Sequence, residues 1–291
     1  MKNNFIVFII LSILTKNVMA ENLSIKALNI SIDKKTETTI FKNDVIIEDE
    51  VGNIIKSDYA EYDKKNNIIY LKRNIIVSDK DNNILKTEQA TYDEMLKTFK
   101  AEGKTTFESS QGYTLEGTDI SLNNKNKTIF SNNLTTLNDL DGNTISLENF
   151  EYISSKKIFK SLGKIEVNDS KNNIYHFSQI IIDTQKKEMI GTDVKAYLNN
   201  EQYKFDKKNK PRIFANTAQF KKSGTNFQKS AFTFCNYRGG DKCPPWEFSA
   251  REMNHDVAEK TVYYENVLIK IYNVPVMYLP YFFHPDPTVK R

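Results

Sequence analysis

The sequence predicts an all-β fold of stacked antiparallel strands, built from repeats of about 30 residues. Three observations support this prediction: strand-favouring residues are abundant, apolar and polar residues alternate over short stretches, and turn residues recur at a fixed spacing. Ile, Val, Thr, Tyr and Phe are the residue types that β-strands favour. Alanine-rich runs with charge pairs at helical spacing are missing from the sequence.

The repeat becomes visible when positions 30 residues apart are compared from about residue 57 to 205. Alternation of period two places the apolar residues of each strand on one face. Three apolar columns hold Tyr62, Tyr92, Leu122, Tyr152 and Ile182; Ile69, Phe99, Ile129, Phe159 and Met189; and Val77, Phe107, Leu137 and Val167. Repetition at this spacing is typical of a stacked β architecture whose units share one core.

Two kinds of turn divide each repeat into two strands of roughly ten residues. The second kind is a polar break at 64–67, 124–127, 154–157 and 184–187. Gly and Asn tolerate the positive φ that tight hairpins require, and they mark the first kind of turn. That column holds Gly52, Asn82, Gly112, Gly142 and Asn172. Since an isolated hairpin is marginally stable in water, we expect the whole stack to fold together.

The repeat is interrupted once, between Asn199 and Arg212, by about eight additional residues rich in Lys and Asn. Ala218 and Phe220 then resume the spacing of the earlier columns. We interpret the insertion as a solvated loop within one continuous β-domain.

The apolar columns allow two interpretations. If two curved layers of strands pack together, the columns form a dry core, which is the usual role of buried apolar side chains. If the layers stay apart, the same columns line a trough suited to acyl chains. Periodicity does not separate these interpretations, so all fourteen residues are candidate lipid-groove residues.

The first twenty residues are typical of a secretory signal peptide. Lys2 supplies a positive charge, an apolar stretch follows from Phe5 to Leu14, and a plausible cleavage point ends at Ala20. The apolar stretch is shorter than the roughly 20 residues that a membrane-spanning helix needs. We therefore predict export, with a mature chain that begins near Glu21.

Charges of both signs are interleaved along the chain, with 41 Lys and Arg against 37 Asp and Glu. A nucleic-acid-binding protein usually concentrates its basic residues on one face or stripe. We therefore expect no nucleic-acid partner.

A segment near the C-terminus carries a long pattern rich in Trp, Tyr and Pro. It reads AFTFC at 231–235, CPPWEFSA at 243–250, NHD at 254–256 and NVPVMYLPYFFHP at 273–285. This pattern resembles the lipopolysaccharide-assembly outer-membrane protein family LptD, also called the organic-solvent-tolerance (OstA) proteins. The 30-residue repeats upstream resemble the N-terminal β-jellyroll of that family.

The resemblance implies a periplasmic, OstA/LptA-like β-jellyroll, shaped like a taco, at 21–274 and a linker at 275–291 toward an outer-membrane barrel that the sequence lacks. In that family the jellyroll receives lipopolysaccharide from a bridge of similar jellyrolls and passes it toward the outer membrane. The implied partners are lipopolysaccharide, an LptA-like bridge jellyroll added edge to edge, and an LptE-like lipoprotein if a barrel is present. The implied location is the periplasm, in association with the outer membrane.

The resemblance also implies a junction with the barrel or a partner, formed by Trp246, Pro275, Tyr278, Leu279, Pro280, Tyr281 and Phe282. Prolines cannot donate ladder hydrogen bonds, which places them at strand ends or in an extended connector. The aromatic residues among them either contact a partner or a membrane interface, or pack back on the last strands.

Both cysteines of the chain, Cys235 and Cys243, lie in this C-terminal region. An oxidising compartment favours a disulfide, and an internal bridge between them is one outcome. The family resemblance implies another outcome, in which jellyroll and barrel cysteines pair, but a chain without a barrel leaves only the internal pair. A zinc site would need four ligands at a recognisable spacing, and no such set is present, so we expect no metal.

No catalytic constellation stands out. His176, His255 and His284 are scattered, and the sequence contains no G-x-S-x-G, no Gly-rich phosphate loop and no H-E-x-x-H. We therefore expect a protein that is not an enzyme and needs no cofactor. The alternatives left open are a free-standing LptA-like bridge protein, a structural β-repeat protein with a dry core, and a polysaccharide-cleaving enzyme on a β-scaffold.

Overall fold

The computed structural model describes residues 23–49, 52–199, 211–235, 245–285 and 289. These residues form strands and no helix, which confirms the all-β prediction. Within the described ranges there is accordingly no helix that could span a membrane. The strands are β1 (Ser24–Lys26), β2 (Asn29–Asp33), β3 (Thr38–Glu48), β4 (Ile54–Asp63), β5 (Ile68–Ser78), β6 (Ile84–Asp93), β7 (Thr98–Glu108), β8 (Thr114–Thr118), β9 (Ser121–Asn123), β10 (Thr128–Ser131), β11 (Thr135–Asn138), β12 (Thr144–Leu147), β13 (Phe150–Ile153), β14 (Ile158–Asn168), β15 (Ile174–Asp183), β16 (Glu188–Tyr197), β17 (Arg212–Lys221), β18 (Gly224–Thr233), β19 (Trp246–Asp256), β20 (Thr261–Ile271) and β21 (Val274–Pro285).

The strands form one antiparallel sheet rather than two separate ones. Each long strand pairs with the next along the chain, for example β3 with β4 and β20 with β21. Short strands act as the two halves of one long strand, as β8 and β9 do when both pair with β7. Among the described strands, the sheet is an up-and-down meander with β1 and β2 at one edge and β21 at the other.

The turns of the first kind have the conformation that the sequence predicts. Their Gly and Asn residues all have positive φ, from +60° at Asn172 to +90° at Gly52. An Asp at the start fixes four of these five turns, and Ser109 takes its place in the turn that contains Gly112. The Asp79 carboxylate, for example, accepts hydrogen bonds from the backbone N–H (2.9 Å) and side-chain amide (2.7 Å) of Asn83. The same pair recurs at Asp49–Asn53, Asp139–Asn143 and Asp169–Asn173.

The turns of the second kind lie at the opposite ends of the strands and stack on one another. Their last residue adopts the left-handed conformation at Asn67, Lys97, Lys127, Lys157 and Lys187, with φ between +53° and +56°. The carbonyl of that residue accepts the backbone N–H at the start of the next turn, as between Lys127 and Ser154 (2.9 Å). Successive repeats are therefore tied together at their turns as well as along the strands.

The long strands bend near their middle, which the sequence analysis did not predict. In five strand pairs, β3–β4 to β6–β7 and β14–β15, the register shifts there, as a β-bulge does. In β5 the exposed residues 72–74 form the bend, with φ of +68° at Arg73 and +48° at Asn74. Polar side chains replace the lost ladder bonds, since Asn74 Nδ2 donates to Asp58 (2.7 Å) and the Gly103 N–H donates to Asp119 (2.9 Å).

The bends fold the sheet into two arms that face each other. We call the half-strands next to the Gly and Asn turns the first arm, and those next to the turns at 64–67 and its equivalents the second arm. Apolar residues are buried on the same face on both sides of a bend, as Leu71 and Ile75 are in β5 (each 1% exposed). The arms contact across the gap, because a Cβ built on Gly191 would lie 2.2 Å from the ring of Phe177.

At this contact a large side chain, Phe177, lies against the smallest residue, Gly191. The positions that the repeat makes equivalent to these two never hold two large side chains in the sequence. The five pairs are Ser57 with Leu71, Thr87 with Ala101, Gly117 with Ser131, Leu147 with Ser161, and Phe177 with Gly191. The core next to the bends is therefore filled differently in each repeat.

The predicted linker at 275–291 needs correction, because Val274–Pro285 forms strand β21. Its prolines fit an edge strand: Pro275 lies at a register shift, Pro280 lies opposite Asn266 (φ +52°), and Pro285 ends the strand. Most of the insertion after Asn199 and the whole predicted signal peptide lie outside the described residues.

Candidate functional site

The two arms enclose a cavity of about 940 Å³ in the N-terminal part of the sheet. One wall is built from first-arm residues between 47 and 111, with Leu23, and the other from second-arm residues between 92 and 157. Facing residues are thus about 45 positions apart in sequence, which agrees with the twist that β-sheets accumulate from strand to strand. The cavity opens between the two rows of turns.

Ten of the fourteen candidate groove residues line this cavity or a smaller one of about 60 Å³ that adjoins it. The two cavities share Phe107, Ile129 and Tyr152, so they form one groove that narrows along the sheet. The ten residues are Val77, Tyr92, Phe99, Phe107, Leu122, Ile129, Leu137, Tyr152, Phe159 and Ile182.

The four remaining candidates do not line the groove. Ile69 and Val167 are buried in the core (0% and 6% exposed). Tyr62 is half-buried, and its hydroxyl donates to the Glu94 carboxylate (3.1 Å). Met189 is half-buried and packs against the core.

Tyrosine hydroxyls mark the change from the apolar walls to the polar rim. Tyr92 is 4% exposed, and burial together with the nearby Asp49, Glu94 and Asp93 carboxylates raises its pKa to about 12. On the facing arm, burial is the largest cause of a raised pKa at Tyr113, followed by the charges of Asp139 and Asp141. Both tyrosines therefore stay neutral at physiological pH.

In the C-terminal half of the sheet, aromatic side chains fill the space between the arms, as in the dry-core alternative. Phe177 contacts Tyr175 (ring centroids 6.4 Å apart) and Phe220 (6.1 Å), and Phe220 contacts Phe227 (6.0 Å). Phe177 crosses the gap to reach Gly191 on the other arm. The repeat continues through this region, but larger side chains occupy the space between the arms.

The residues of the predicted junction divide between the two faces of the last strands. Trp246 is half-buried between Phe234 (5.4 Å) and Phe248 (5.7 Å), and Phe282 stacks on Phe248 (6.0 Å). Leu279 is also half-buried and packs against the core. The opposite face of β21 exposes Tyr278 (54%) and Tyr281 (55%), and Pro275 and Pro280 are exposed as well.

Cys235 is half-buried just after β18, and Cys243 lies outside the described residues, so the disulfide stays a prediction. His176 lies in β15 with Glu166 3.7 Å away, whereas His255 and His284 both lie opposite Val262, on the two strands that flank β20. His284 hydrogen-bonds with the Tyr264 hydroxyl (2.9 Å). In the described ranges there is no group of three or more His, Cys, Asp or Glu that could hold a metal ion.

Sequence reasoning missed the polar rim of the groove. Lys97, Lys125, Lys127 and Lys157 line the mouth on the second arm, and Asp49, Asp79 and Asp81 line it on the first. A signal was present, because Lys97, Lys127, Lys157 and Lys187 share one position of the repeat. The sequence analysis used that position only as a polar break.

Comparison with known families gives a match in the N-terminal part of the chain. Residues 20–139 match the model of a family described as "Lipopolysaccharide-assembly, LptC-related". The matched segment, 120 of 291 residues, contains most of the groove-lining residues. The description of the matched family names lipopolysaccharide assembly and no catalysed reaction, which agrees with the expectation that this chain is not an enzyme.

No curated protein sequence matches the chain. One matching crystal structure is that of LptH from Pseudomonas aeruginosa, described as the LptA-homologous periplasmic component of the lipopolysaccharide transport device. It is 8% identical, the match covers 59% of this chain and 82% of that chain, and the TM-score is 0.16. At these values we draw no argument from it. The family match, in turn, does not single out LptD, so the N-terminal part of this chain is similar to LptC-related lipopolysaccharide-assembly proteins.

Proposed function

We propose that this protein is a periplasmic module of lipopolysaccharide transport that holds acyl chains in the groove between its two arms. The observation that carries the proposal is the cavity of about 940 Å³, which has apolar side chains on its walls beneath a polar rim and lies mostly in the segment that matches the lipopolysaccharide-assembly family. Its volume is at the upper end of the range for sites of small ligands.

The groove offers acyl chains a favourable environment without any specific bond. Phe99, Phe107, Leu122 and Ile129 present hydrocarbon surface, and each CH₂ group that leaves water gains about 0.8 kcal/mol. Because the mouth runs along the stack between the rows of turns, a polar headgroup can stay in water while the chains are inside. These properties suit a carrier that releases its lipid to the next site.

The two open edges of the sheet support a bridge role. β2 at one edge exposes Ile30 (55%) and Ile32 (69%), and β21 at the other edge exposes Val276 (54%). Each edge strand pairs with only one neighbour among the described strands, so its remaining backbone groups are available to another sheet. We infer that an LptA-like jellyroll adds to an edge and extends the groove.

A second candidate is the jellyroll of an LptD-like protein that delivers lipopolysaccharide to the outer membrane. The segment 273–285 favours it, because its sequence resembles that family, and its strand presents Tyr278, Tyr281 and Phe283 to the outside. In this case an LptE-like lipoprotein is a further partner. Export through the predicted signal peptide is common to both candidates.

Site-specific photo-crosslinking in cells that produce lipopolysaccharide tests the groove. Benzoylphenylalanine at position 99 or 129 is expected to capture lipopolysaccharide, because both side chains line the cavity. The matched controls are positions 100 and 130, whose side chains point to the opposite face of the same strands. Capture with equal yield from both faces, or none from the inner positions, would contradict the groove.

A further inference from the structure

The two rows of turns that border the groove carry opposite charge. We call the turn residues 49–53, 79–83, 109–113, 139–143 and 169–173 the acidic lip, and 63–67, 93–97, 123–127, 153–157 and 183–187 the basic lip. The described residues of the acidic lip contain six Asp and two Lys. Those of the basic lip contain nine Lys against four Asp and Glu. A groove bordered by two lips of opposite sign distinguishes one side of a bound amphiphile from the other.

The carboxylates of the basic lip accept hydrogen bonds within their own turns or, at Glu94, from β4. Asp93 accepts the backbone N–H of Leu96 (2.8 Å), and Asp183 accepts that of Lys186 (2.9 Å). Glu94 accepts the hydroxyl of Tyr62. None of these carboxylates lines the cavity, whereas four lysines of the same lip do. All charged residues of the basic lip that line the cavity are therefore lysines.

Three of these lysines form a regular row. Lys97, Lys127 and Lys157 occupy the same position of three successive repeats and share one left-handed backbone conformation, with φ between +53° and +56°. Equivalent positions are two strands apart, which corresponds to about 10 Å along the stack. A headgroup that carries two phosphates can contact neighbouring lysines of such a row.

The facing lip is unfavourable for the same headgroup. Asp49, Asp79 and Asp81 line the cavity there, and the charge of Asp49 is the largest contribution after burial to the raised pKa of Tyr92. An anionic group near these carboxylates is repelled, and Lys80 is the single cation among the described cavity-lining residues of that lip. The field across the mouth thus directs anions toward the basic lip.

We propose that Lys97, Lys127 and Lys157 bind the phosphate groups of a phosphorylated amphiphile whose acyl chains lie in the groove. This inference rests on the proposed function and adds the orientation of the ligand, with its phosphates on the basic lip. Lysine is a common binder of phosphate, through charge-assisted hydrogen bonds. Burial lowers the pKa of Lys97, and an incoming phosphate stabilises the protonated form of that amine.

The test compares binding of three probes to the purified full chain: bisphosphorylated lipid A, its fully dephosphorylated form, and inorganic pyrophosphate. The test variant is the triple change Lys97→Gln, Lys127→Gln and Lys157→Gln. The control variant removes the same charge from exposed lysines outside the groove, by Lys56→Gln, Lys100→Gln and Lys104→Gln. Circular dichroism and thermal unfolding verify that both variants are folded.

The unchanged protein is expected to bind lipid A at least about tenfold more tightly than the dephosphorylated form, since hydrogen bonds to charged groups are strong. The triple lip variant should lose this preference and keep its affinity for the dephosphorylated lipid. The control variant should keep both. Higher salt should weaken the binding of lipid A only.

The other outcomes separate the two proposals. If the lip variant binds both lipids as the unchanged protein does, or the control variant loses the preference equally, the lysine row is not the phosphate site, although the groove stands. If the unchanged protein binds neither lipid, the proposed function itself fails. Pyrophosphate that binds as tightly as lipid A would overturn the lipid headgroup as the source of the phosphate.

Discussion

Replacing Gly191 with Ala is expected to destabilise the protein by about 1–3 kcal/mol, the usual cost of an extra methyl group in a well-packed core. The new Cβ would lie 2.2 Å from Cδ1 and 2.5 Å from Cε1 of Phe177. Carbon atoms that are not bonded normally stay about 3.5–4.0 Å apart, so the ring has to retreat by more than about 1 Å. Phe177 is 4% exposed and packs against Tyr175 and Phe220, which leaves little room for that movement.

The expected direction of the stability change is opposite to the usual one for a change from Gly to Ala. Gly191 has a backbone conformation that other residues adopt readily, because its φ is not in the left-handed region. At such a position a change from Gly to Ala normally stabilises a protein by about 0.4–1 kcal/mol, since it reduces the freedom of the unfolded chain. Only the contact with Phe177 reverses the expected direction.

Urea and thermal unfolding, followed by circular dichroism, measure the effect, and each kcal/mol lowers the Tm by about 2–4 °C in a chain of this size. Gly191→Ala should be partly rescued by Phe177→Leu, so that the double variant loses about 1 kcal/mol less than the two single changes added together. Ser155→Ala, in an exposed turn, serves as a control within about 0.5 kcal/mol of the unchanged protein. A Gly191→Ala variant as stable as the unchanged protein, or strict additivity, would refute the reasoning.

Four further predictions address the core, the groove wall, the turns and the edge. Leu71→Ala in the core (1% exposed) should lower the free energy of unfolding by about 2–5 kcal/mol in urea denaturation. Ile129→Ala in the groove wall should lower the free energy of unfolding by less than Leu71→Ala does, and it should reduce lipid capture from position 99. Equal losses of stability from the two changes would contradict the placement of Leu71 in the core and Ile129 in the groove wall. Asp79→Ala removes the acceptor of two hydrogen bonds from Asn83 and should cost about 1–3 kcal/mol, whereas a neutral result would show that the turn does not depend on them. Ile32→Lys in edge strand β2 should change the free energy of unfolding by less than about 0.5 kcal/mol. It should weaken the edge-to-edge assembly of this protein with an LptA-like jellyroll, measured by analytical ultracentrifugation. Unchanged assembly would mean that this edge is not used.

The sequence predicted the repeat and its turns because both depend on local chemistry. Gly52, Asn82 and Gly112 occupy turns that need positive φ, and the structure gives them φ of +90°, +62° and +85°. The alternation of apolar residues also assigns the buried face of each half-strand correctly, as at Ile69 and Leu71. Such patterns act over a few residues, so a sequence displays them directly.

The mid-strand bends were missed because no single residue type marks them. Asn43, Arg73, Gly103, Gly163 and Asp193 occupy equivalent positions and have positive φ, but their side chains differ. Their common property is that a polar residue or Gly stands where the alternation calls for an apolar one. Without the bends, the sequence analysis could explain two facing layers only as separate layers of strands. In the structure, one bent sheet forms both layers.

The sequence could not separate groove from core along the columns, since a repeat equates positions and not the sizes of their side chains. Ile129 and Met189 belong to one column, but Ile129 lines the cavity and Met189 packs against the core. The difference arises from residues in other columns, such as Phe177 and Phe220, whose rings occupy the gap between the arms. Packing of this kind depends on the whole cross-section of the fold.

The contact between Phe177 and Gly191 implies that the repeats are not interchangeable. If Gly191 were replaced by the residue at the equivalent position of an earlier repeat, Leu71, Ala101 or Ser161, the new side chain would collide with the ring of Phe177. Unequal recombination between such similar segments would therefore yield misfolded products, and a designer could not lengthen this protein by copying a unit. The sizes of two side chains at the bend therefore determine where in the stack this unit fits.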